Sequence, residues 1–219
     1  MENSRVLIYD GSFNGFLTSL HIALENNIEV MGFQKNKTKQ EGLFMDQLVI
    51  TTDKTKAESI WKSLEKKSHT AIRRIYFAFL SEADGIDFML YEYVRKLYGM
   101  LNVHDLEQSA LIETKISKLA LQVNREKSYT ESTVDFQKDD VCIYYAELEP
   151  SFNILPLISR HFRYKYPKQH WIIYDNKRQY GVYYNGISLE IISRETKESY
   201  LMGKIHANPY LETSYRMAM

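Results

Sequence analysis

Several residue types that mark particular protein classes are scarce in this chain of 219 residues. It contains one cysteine, Cys142, so it can form neither an intramolecular disulfide nor a thiolate metal cluster. Cys142 lies in an apolar, strand-like run and is expected to be a small buried side chain rather than a catalytic thiol. No apolar run approaches the roughly 20 residues that span a bilayer, and residues 1–9 lack a signal-peptide pattern. We therefore expect a soluble protein of the reducing cytoplasm.

Glycine and proline are also few, with 9 and 4 residues, whereas tyrosine and phenylalanine are frequent, with 17 and 10. Such a composition can bury enough apolar surface to offset the entropy lost on folding, so an ordered chain is expected. The 28 basic and 28 acidic residues give a formal net charge of zero. A neutral chain does not attract a polyanion as a whole. If this chain binds nucleic acid, its basic residues must therefore be concentrated on one surface.

The motifs of common metal and cofactor sites are missing. None of the six histidines lies four residues from another, as a helical metal site requires, and no His-Glu-x-x-His occurs. The chain also lacks a Walker A loop and a complete Gly-x-Gly-x-x-Gly pattern. We predict neither a bound metal nor a cofactor.

Helical patterns fill the middle of the chain. Residues 5–9 form a short apolar strand, which a tight turn and a helix follow. Residues 70–126 are largely helical, because their apolar side chains repeat at intervals of three and four.

The periodicity changes in the C-terminal half. Residues 133–148 are typical of a hairpin, residues 153–164 of a helix and residues 171–192 of an antiparallel meander with a turn at Asn185-Gly186. This segregation favours an α+β fold over a regularly alternating α/β sheet. We predict one α+β domain over residues 1–219.

The turn after the first strand is the first candidate site. Asp10, Gly11 and Ser12 lie between a strand and a helix, and free N–H groups at a helix start can receive a phosphate or carboxylate. Asp10 can also hold a cation or act as a base. The alternative is a helix cap beside a structural glycine.

A locally basic, aromatic-rich segment over residues 153–184 is the second candidate. Cations neutralise phosphates and aromatic rings stack on bases, so this pattern favours nucleic-acid binding. The alternative is a solvated helix face followed by ordinary aromatic strands. The candidate contacts are Arg160, Arg163, Lys165, Lys168, Trp171, Lys177 and Arg178.

Several acids and one histidine are candidate catalytic residues. Asp175-Asn176-Lys177 is similar to the acid-x-Lys element of metal-dependent nucleases, but the match is three residues long and a polar hairpin turn is the favoured explanation. Glu147 and Glu149 form a second pair of carboxylates, or simply end a strand before Pro150. Asp10 and His161 complete the set.

The chain as a whole resembles an uncharacterised bacterial family of proteins assigned to DNA metabolism and DNA repair. Nearly the whole chain carries the resemblance, in the runs YDGSFNGFL (9–17), ITTDKTKAESIW (50–61), FLSEADG (79–85), YYAELEPSFNILPL (144–157) and HFRYKYPKQHWIIYDNKRQYGVYY (161–184). Members of that family look like separate proteins that accompany a radical-SAM protein, or like domains that are fused to uracil-DNA-glycosylase-like proteins. The resemblance implies a DNA-repair setting but carries over no catalytic residue.

The chain departs from the family pattern in two places. The family has a His-Arg segment and a Gly-Phe-x-Arg-Phe strand, and this chain has other residues there: Ser128, Tyr129, Ser132, Thr133, Asp135 and Phe136. Members also usually continue into a basic C-terminal tail, so this chain is expected to be a truncated or a short member. Both departures reduce the basic surface that the resemblance implies.

These observations leave three hypotheses and no assigned reaction. The leading one is a DNA-repair-associated protein that binds nucleic acid or a radical-SAM or glycosylase-like partner. The second is an enzyme that acts on DNA, nuclease-like or glycosylase-like, through Asp10, Glu147, His161 or Asp175. The third is an interaction scaffold without DNA contact. Convergence of Asp10, Asn153, His161 and Arg178 in one cleft is the arrangement that would favour the enzyme.

Overall fold

The computed structural model describes residues 4–36, 46–101, 106–138 and 143–202. The chain divides into two compact units, Met1–Gln122 and Val123–Met219, and the boundary lies within one long helix. The predicted α+β class is confirmed, because the described residues form two separate sheets with a block of consecutive helices between them in the chain. Within the described residues, no helix is long and apolar enough to cross a membrane. Cys142 and two of the three residues of the hairpin turn expected at residues 138–140 lie outside the described residues.

The first unit begins with a parallel three-stranded sheet in the order β2-β1-β3. Its strands and the helix that connects the first two are β1 (Ser4–Tyr9), α1 (Phe13–Glu25), β2 (Glu29–Lys35) and β3 (Gln47–Val49). The sequence offers Asp10 or Ser12 as the cap of α1, and Thr52 or Asp53 as the cap of the next helix. In the structure, Ser12 accepts a hydrogen bond at the start of α1 and Asp53 accepts two at the start of the next helix.

The remaining helices of the first unit form its helical layer. They are α2 (Lys54–Lys67), α3 (His69–Phe79), α4 (Ile86–Leu97) and the start of α5 (Leu106–Thr133). Buried side chains on these helices and on β1 and α1 form the core, among them Leu7, Phe16, Leu20, Ile75 and Leu90. The predicted helical middle is thus present, and α5 extends beyond the expected end at residue 126.

The second unit contains a five-stranded sheet in the order β4-β5-β6-β7-β8. Its elements after α5 are β4 (Gln137–Lys138), β5 (Tyr144–Leu148), α6 (Leu155–Lys165), β6 (Trp171–Asp175), β7 (Tyr180–Tyr184), β8 (Leu189–Ile192) and α7 (Arg194–Leu201). The predicted meander is confirmed for β6 to β8, which are antiparallel. β5 and β6 instead run parallel, because α6 carries the chain back along the sheet.

Two features of the second unit follow directly from local sequence. The hairpin at Asn185-Gly186 is confirmed: Gly186 has φ of 84°, and the side chain of Asn185 accepts hydrogen bonds from the N–H groups of Ile187 and Ser188. α6 packs its buried face, including Leu155, Ile158 and Phe162, on the sheet. The opposite face of α6 is left to solvent.

Candidate nucleic-acid interface

The Asp10 turn is held by the chain's own groups. One carboxylate oxygen of Asp10 accepts hydrogen bonds from the N–H (2.8 Å) and the hydroxyl (2.7 Å) of Ser12, and the other accepts one from Thr52 (2.8 Å). Burial acts to raise the pKa of Asp10, but the hydrogen bonds from Ser12 and Thr52 outweigh it and lower the pKa. The hydroxyl of Ser12 accepts in turn from the N–H of Gly15 (2.9 Å). The N–H groups of Ser12 and Gly15 therefore already have acceptors.

Asp175 serves as an anchor inside the second unit. It is fully buried, and it accepts hydrogen bonds from the backbone N–H and the guanidinium of Arg178, both at 2.9 Å. The guanidinium of Arg178 also donates to the carbonyl oxygens of Pro150 and Ser151, each at 3.1 Å. The amino group of Lys177 reaches the same Ser151 carbonyl at 3.0 Å. This turn between β6 and β7 therefore fixes the loop between β5 and α6.

The other catalytic candidates also have local partners. Glu147 accepts hydrogen bonds from Lys197 (2.8 Å) and Asn176 (3.0 Å), and these lower its pKa. Glu149 is exposed just beyond the end of β5. The imidazole of His161 lies 3.9 Å from the carboxylate of Glu131. Among the described residues, no group of three or more His, Cys, Asp and Glu could hold a metal ion.

The four residues whose convergence in one cleft would favour an enzyme are divided between the two units. Asp10 belongs to the first unit, and Asn153, His161 and Arg178 belong to the second. Asn153 accepts a hydrogen bond from the hydroxyl of Tyr180, and Arg178 holds the β5–α6 loop. Sequence reasoning did not anticipate these contacts, because the partners lie about 25 to 50 residues apart in the chain.

Trp171 belongs to the core of the second unit. Its side chain is fully buried, and its ring lies 5.4 Å from that of Tyr184 and 6.3 Å from that of Phe162, centroid to centroid. A buried ring offers no open face on which a base of a surface-bound strand can stack, so the surface defined below omits Trp171.

The solvent face of α6 is basic and aromatic, and we call it the α6 basic face. Three of its residues, Arg160, Arg163 and Tyr164, lie within one stripe because they are three and four positions apart on a helix. Lys165 and Lys168 extend it at the end of the helix, and all five side chains are exposed. The ring of Tyr164 is 70% exposed, and the guanidinium carbon of Arg160 lies 5.7 Å from its centroid.

The cations of this face have no acidic partner within the described part of the chain. Among the described residues, no ion pair involves Arg160, Arg163, Lys165 or Lys168, whereas many other basic side chains, including Arg74, Lys96 and Lys127, contact a glutamate. Arg163 instead lies 6.0 Å from the ring of Tyr184. The sequence predicted these four cations, but only the helix geometry shows that Tyr164 shares their surface.

Comparison with known families gives one match. Residues 84–213 match the model of a family described as a domain of unknown function, DUF4130, and this range is more than half of the chain. The range includes α6 and every strand of the five-stranded sheet. The chain has no match among curated proteins.

Proposed function

This chain belongs to the DUF4130 family, and we propose that it is a nucleic-acid-binding protein of DNA metabolism whose contact surface is the α6 basic face. The observation that carries the proposal is a set of four exposed cations without acidic partners in the described residues, beside an exposed tyrosine ring. A chain with zero net charge has, at this helix, the segregated basic surface that a polyanion requires.

Each chemical group of the face has a role in such binding. The cations contact phosphates, and each contact releases condensed counterions, so affinity falls as salt increases. Three phosphate contacts give a slope of log K against log salt of roughly −2 to −3. The exposed ring of Tyr164 offers a stacking surface for one base, worth about 1–3 kcal/mol in single-strand complexes.

The DNA-metabolism setting is supported by the resemblance of residues 144–157 and 161–184 to proteins assigned to DNA repair. The same resemblance supports a radical-SAM or uracil-DNA-glycosylase-like protein as the partner. Such a partner would carry the chemistry, while this chain contributes affinity for the nucleic acid. No reaction is proposed for this chain.

The test is a binding assay with fluorescently labelled single-stranded and double-stranded oligonucleotides over a series of salt concentrations. The key variant carries Arg160→Ala, Arg163→Ala and Lys168→Ala. A matched control removes three exposed cations from other helices through Lys54→Ala, Lys66→Ala and Lys118→Ala. Both variants lose the same charge, so only the position of the charge differs between them.

We expect the wild type and the control to bind with a clear salt dependence. The α6 variant should bind more weakly and lose roughly three units of the salt slope on duplex, about one for each phosphate contact. Absence of salt-dependent binding by the wild type, or equal slopes for the two variants, would contradict the proposal.

A further inference from the structure

A small aromatic cavity lies next to the end of α6, within the second unit. Its volume is about 220 Å³, and its lining includes four aromatic residues: Phe136, Tyr144, Tyr166 and the buried Trp171. Two polar side chains, Asp135 and Gln169, also line it and are exposed to solvent. We call this the α6 cavity.

The volume of the cavity limits what can enter. A benzene molecule fills an engineered cavity of about 150 Å³, and pockets for drug-sized ligands begin at about 300 Å³. A cavity of about 220 Å³ therefore accommodates a single ring system with small substituents. Walls of aromatic rings favour a flat occupant, because flat rings pack face to face or edge to face.

The polar groups of the cavity favour an occupant with both hydrogen-bond donors and acceptors. Asp135 supplies an acceptor, and Gln169 supplies both a donor and an acceptor. A free phosphate fits poorly, because the carboxylate of Asp135 would repel it. A nucleobase has a flat ring, carbonyl acceptors and N–H donors.

The cavity also borders the α6 basic face. The amino group of Lys165 lies 5.3 Å from the ring centroid of Tyr166, which lines the cavity. Lys168 directly precedes Gln169, another lining residue. A strand whose phosphates contact these lysines would bring its bases close to the cavity.

We propose that the α6 cavity receives one unstacked nucleobase from a strand bound on the α6 basic face. This inference rests on the proposed function and makes it more specific. Single-stranded segments are the favoured ligand, since their bases are free to leave the stack at little cost. The phosphate contacts supply most of the affinity, and the cavity contacts the base through its aromatic and polar lining.

The test uses the two tryptophans of the chain, Trp61 and Trp171, as reporters in the full-length protein. Their indole N–H resonances are followed by NMR while two decamers are added, decathymidylate and an abasic strand with the same phosphate backbone. We expect decathymidylate to shift the Trp171 resonance while that of Trp61 stays in place. The abasic strand should bind but leave the Trp171 resonance unchanged.

Affinities for the two decamers give the second measurement. Decathymidylate should bind the wild type about 5- to 100-fold more tightly than the abasic strand, as expected for base stacking. Tyr166→Leu and Gln169→Ala should each reduce this ratio and leave binding of the abasic strand unchanged. Tyr129→Leu, at an exposed tyrosine of α5, is the control and should keep the wild-type ratio. Gln169 is exposed, so its variant avoids a folding defect.

The outcomes separate the two proposals. If decathymidylate binds but Trp171 does not shift, or if both cavity variants keep the wild-type ratio, the cavity does not receive a base. If neither decamer binds, the proposed function fails. A titration with free thymidine then tests whether the cavity binds a base on its own. A shift of Trp171 with thymidine would then support the cavity, and its absence would overturn it.

Discussion

Gly15, at the start of α1, lies against the side chain of Asp10. A Cβ atom at this position would clash with a carboxylate oxygen of Asp10 and would lie 2.9 Å from the hydroxyl of Thr52 and 3.0 Å from the ring of Tyr9. The glycine therefore permits the close approach that lets Asp10 accept three hydrogen bonds.

We predict that Gly15→Ala destabilises the protein. Alanine favours a helix over glycine by about 1 kcal/mol, but overpacking typically costs about 1–3 kcal/mol, and here the alanine also disrupts the hydrogen bonds of Asp10. Denaturant unfolding followed by circular dichroism measures the change. Gly32→Ala is the control, because a Cβ there meets no atom within 4 Å. A gain in stability for Gly15→Ala would show that the clash is absent in solution.

The turn between β6 and β7 shows how one polar element organises its neighbours. Asp175 and Arg178 form an ion pair at 2.9 Å, with side chains 0% and 11% exposed, and Arg178 reaches two carbonyl groups of the β5–α6 loop. Because that loop leads into α6, the pair helps to set the position at which the helix begins.

We predict that Asp175→Asn lowers the free energy of unfolding by about 1.5–3 kcal/mol, because it removes the charge of a buried carboxylate that accepts two hydrogen bonds from Arg178. Glu198→Gln is the control in the same unit. It breaks the exposed Arg194–Glu198 pair of α7 and should cost less than about 1 kcal/mol. Thermal or denaturant unfolding measures both. An Asp175 variant as stable as the control would rule out the anchoring role.

At the scale of the whole molecule, several carboxylates have pKa values that hydrogen bonds or burial shift from their ordinary values. Hydrogen bonds from Lys96 to Glu113 and from Lys197 to Glu147 lower the pKa of each acid below 4.5. The pKa of Asp10 lies below 3.8, since its hydrogen bonds outweigh the effect of burial. Burial raises the pKa of Asp87 and Glu190, so these two act in the opposite direction.

The lowered pKa values predict a loss of stability in acid. A carboxyl group with a lowered folded-state pKa stabilises the protein fully above its unfolded pKa, and the contribution disappears as pH falls through the folded value. We expect the triple variant Asp10→Asn, Glu113→Gln and Glu147→Gln to have a lower melting temperature near pH 7. Its melting temperature should then change less than that of the wild type between about pH 5 and about pH 2.

Melting curves over this pH range measure the effect. The control variant neutralises three exposed acids, through Glu58→Gln, Glu107→Gln and Glu198→Gln, and should keep the acid profile of the wild type. If the profile of the triple variant ran parallel to that of the wild type from neutral to acid pH, the three carboxylates would not be the groups responsible.

By itself the sequence determined the local features of this protein. Apolar periodicity placed α3, α4 and α6, Ser12 and Asp53 acted as the expected caps, and Asn185-Gly186 formed the expected hairpin. These features depend on side chains and backbone groups within a few residues of each other. The four cations of the α6 basic face were also visible, because they lie close together in the chain, between Arg160 and Lys168.

The accessibility of the polar and aromatic residues, in contrast, depends on how distant parts of the chain pack together. In the sequence, Asp175 and Trp171 lie next to polar and basic residues, like the candidates that prove to be exposed. Both side chains are nevertheless fully buried, because distant elements pack over them. The parallel pairing of β5 with β6 and the α6 cavity likewise depend on residues far apart in the chain. Burial is a sum over such long-range contacts, and local sequence patterns do not specify those contacts.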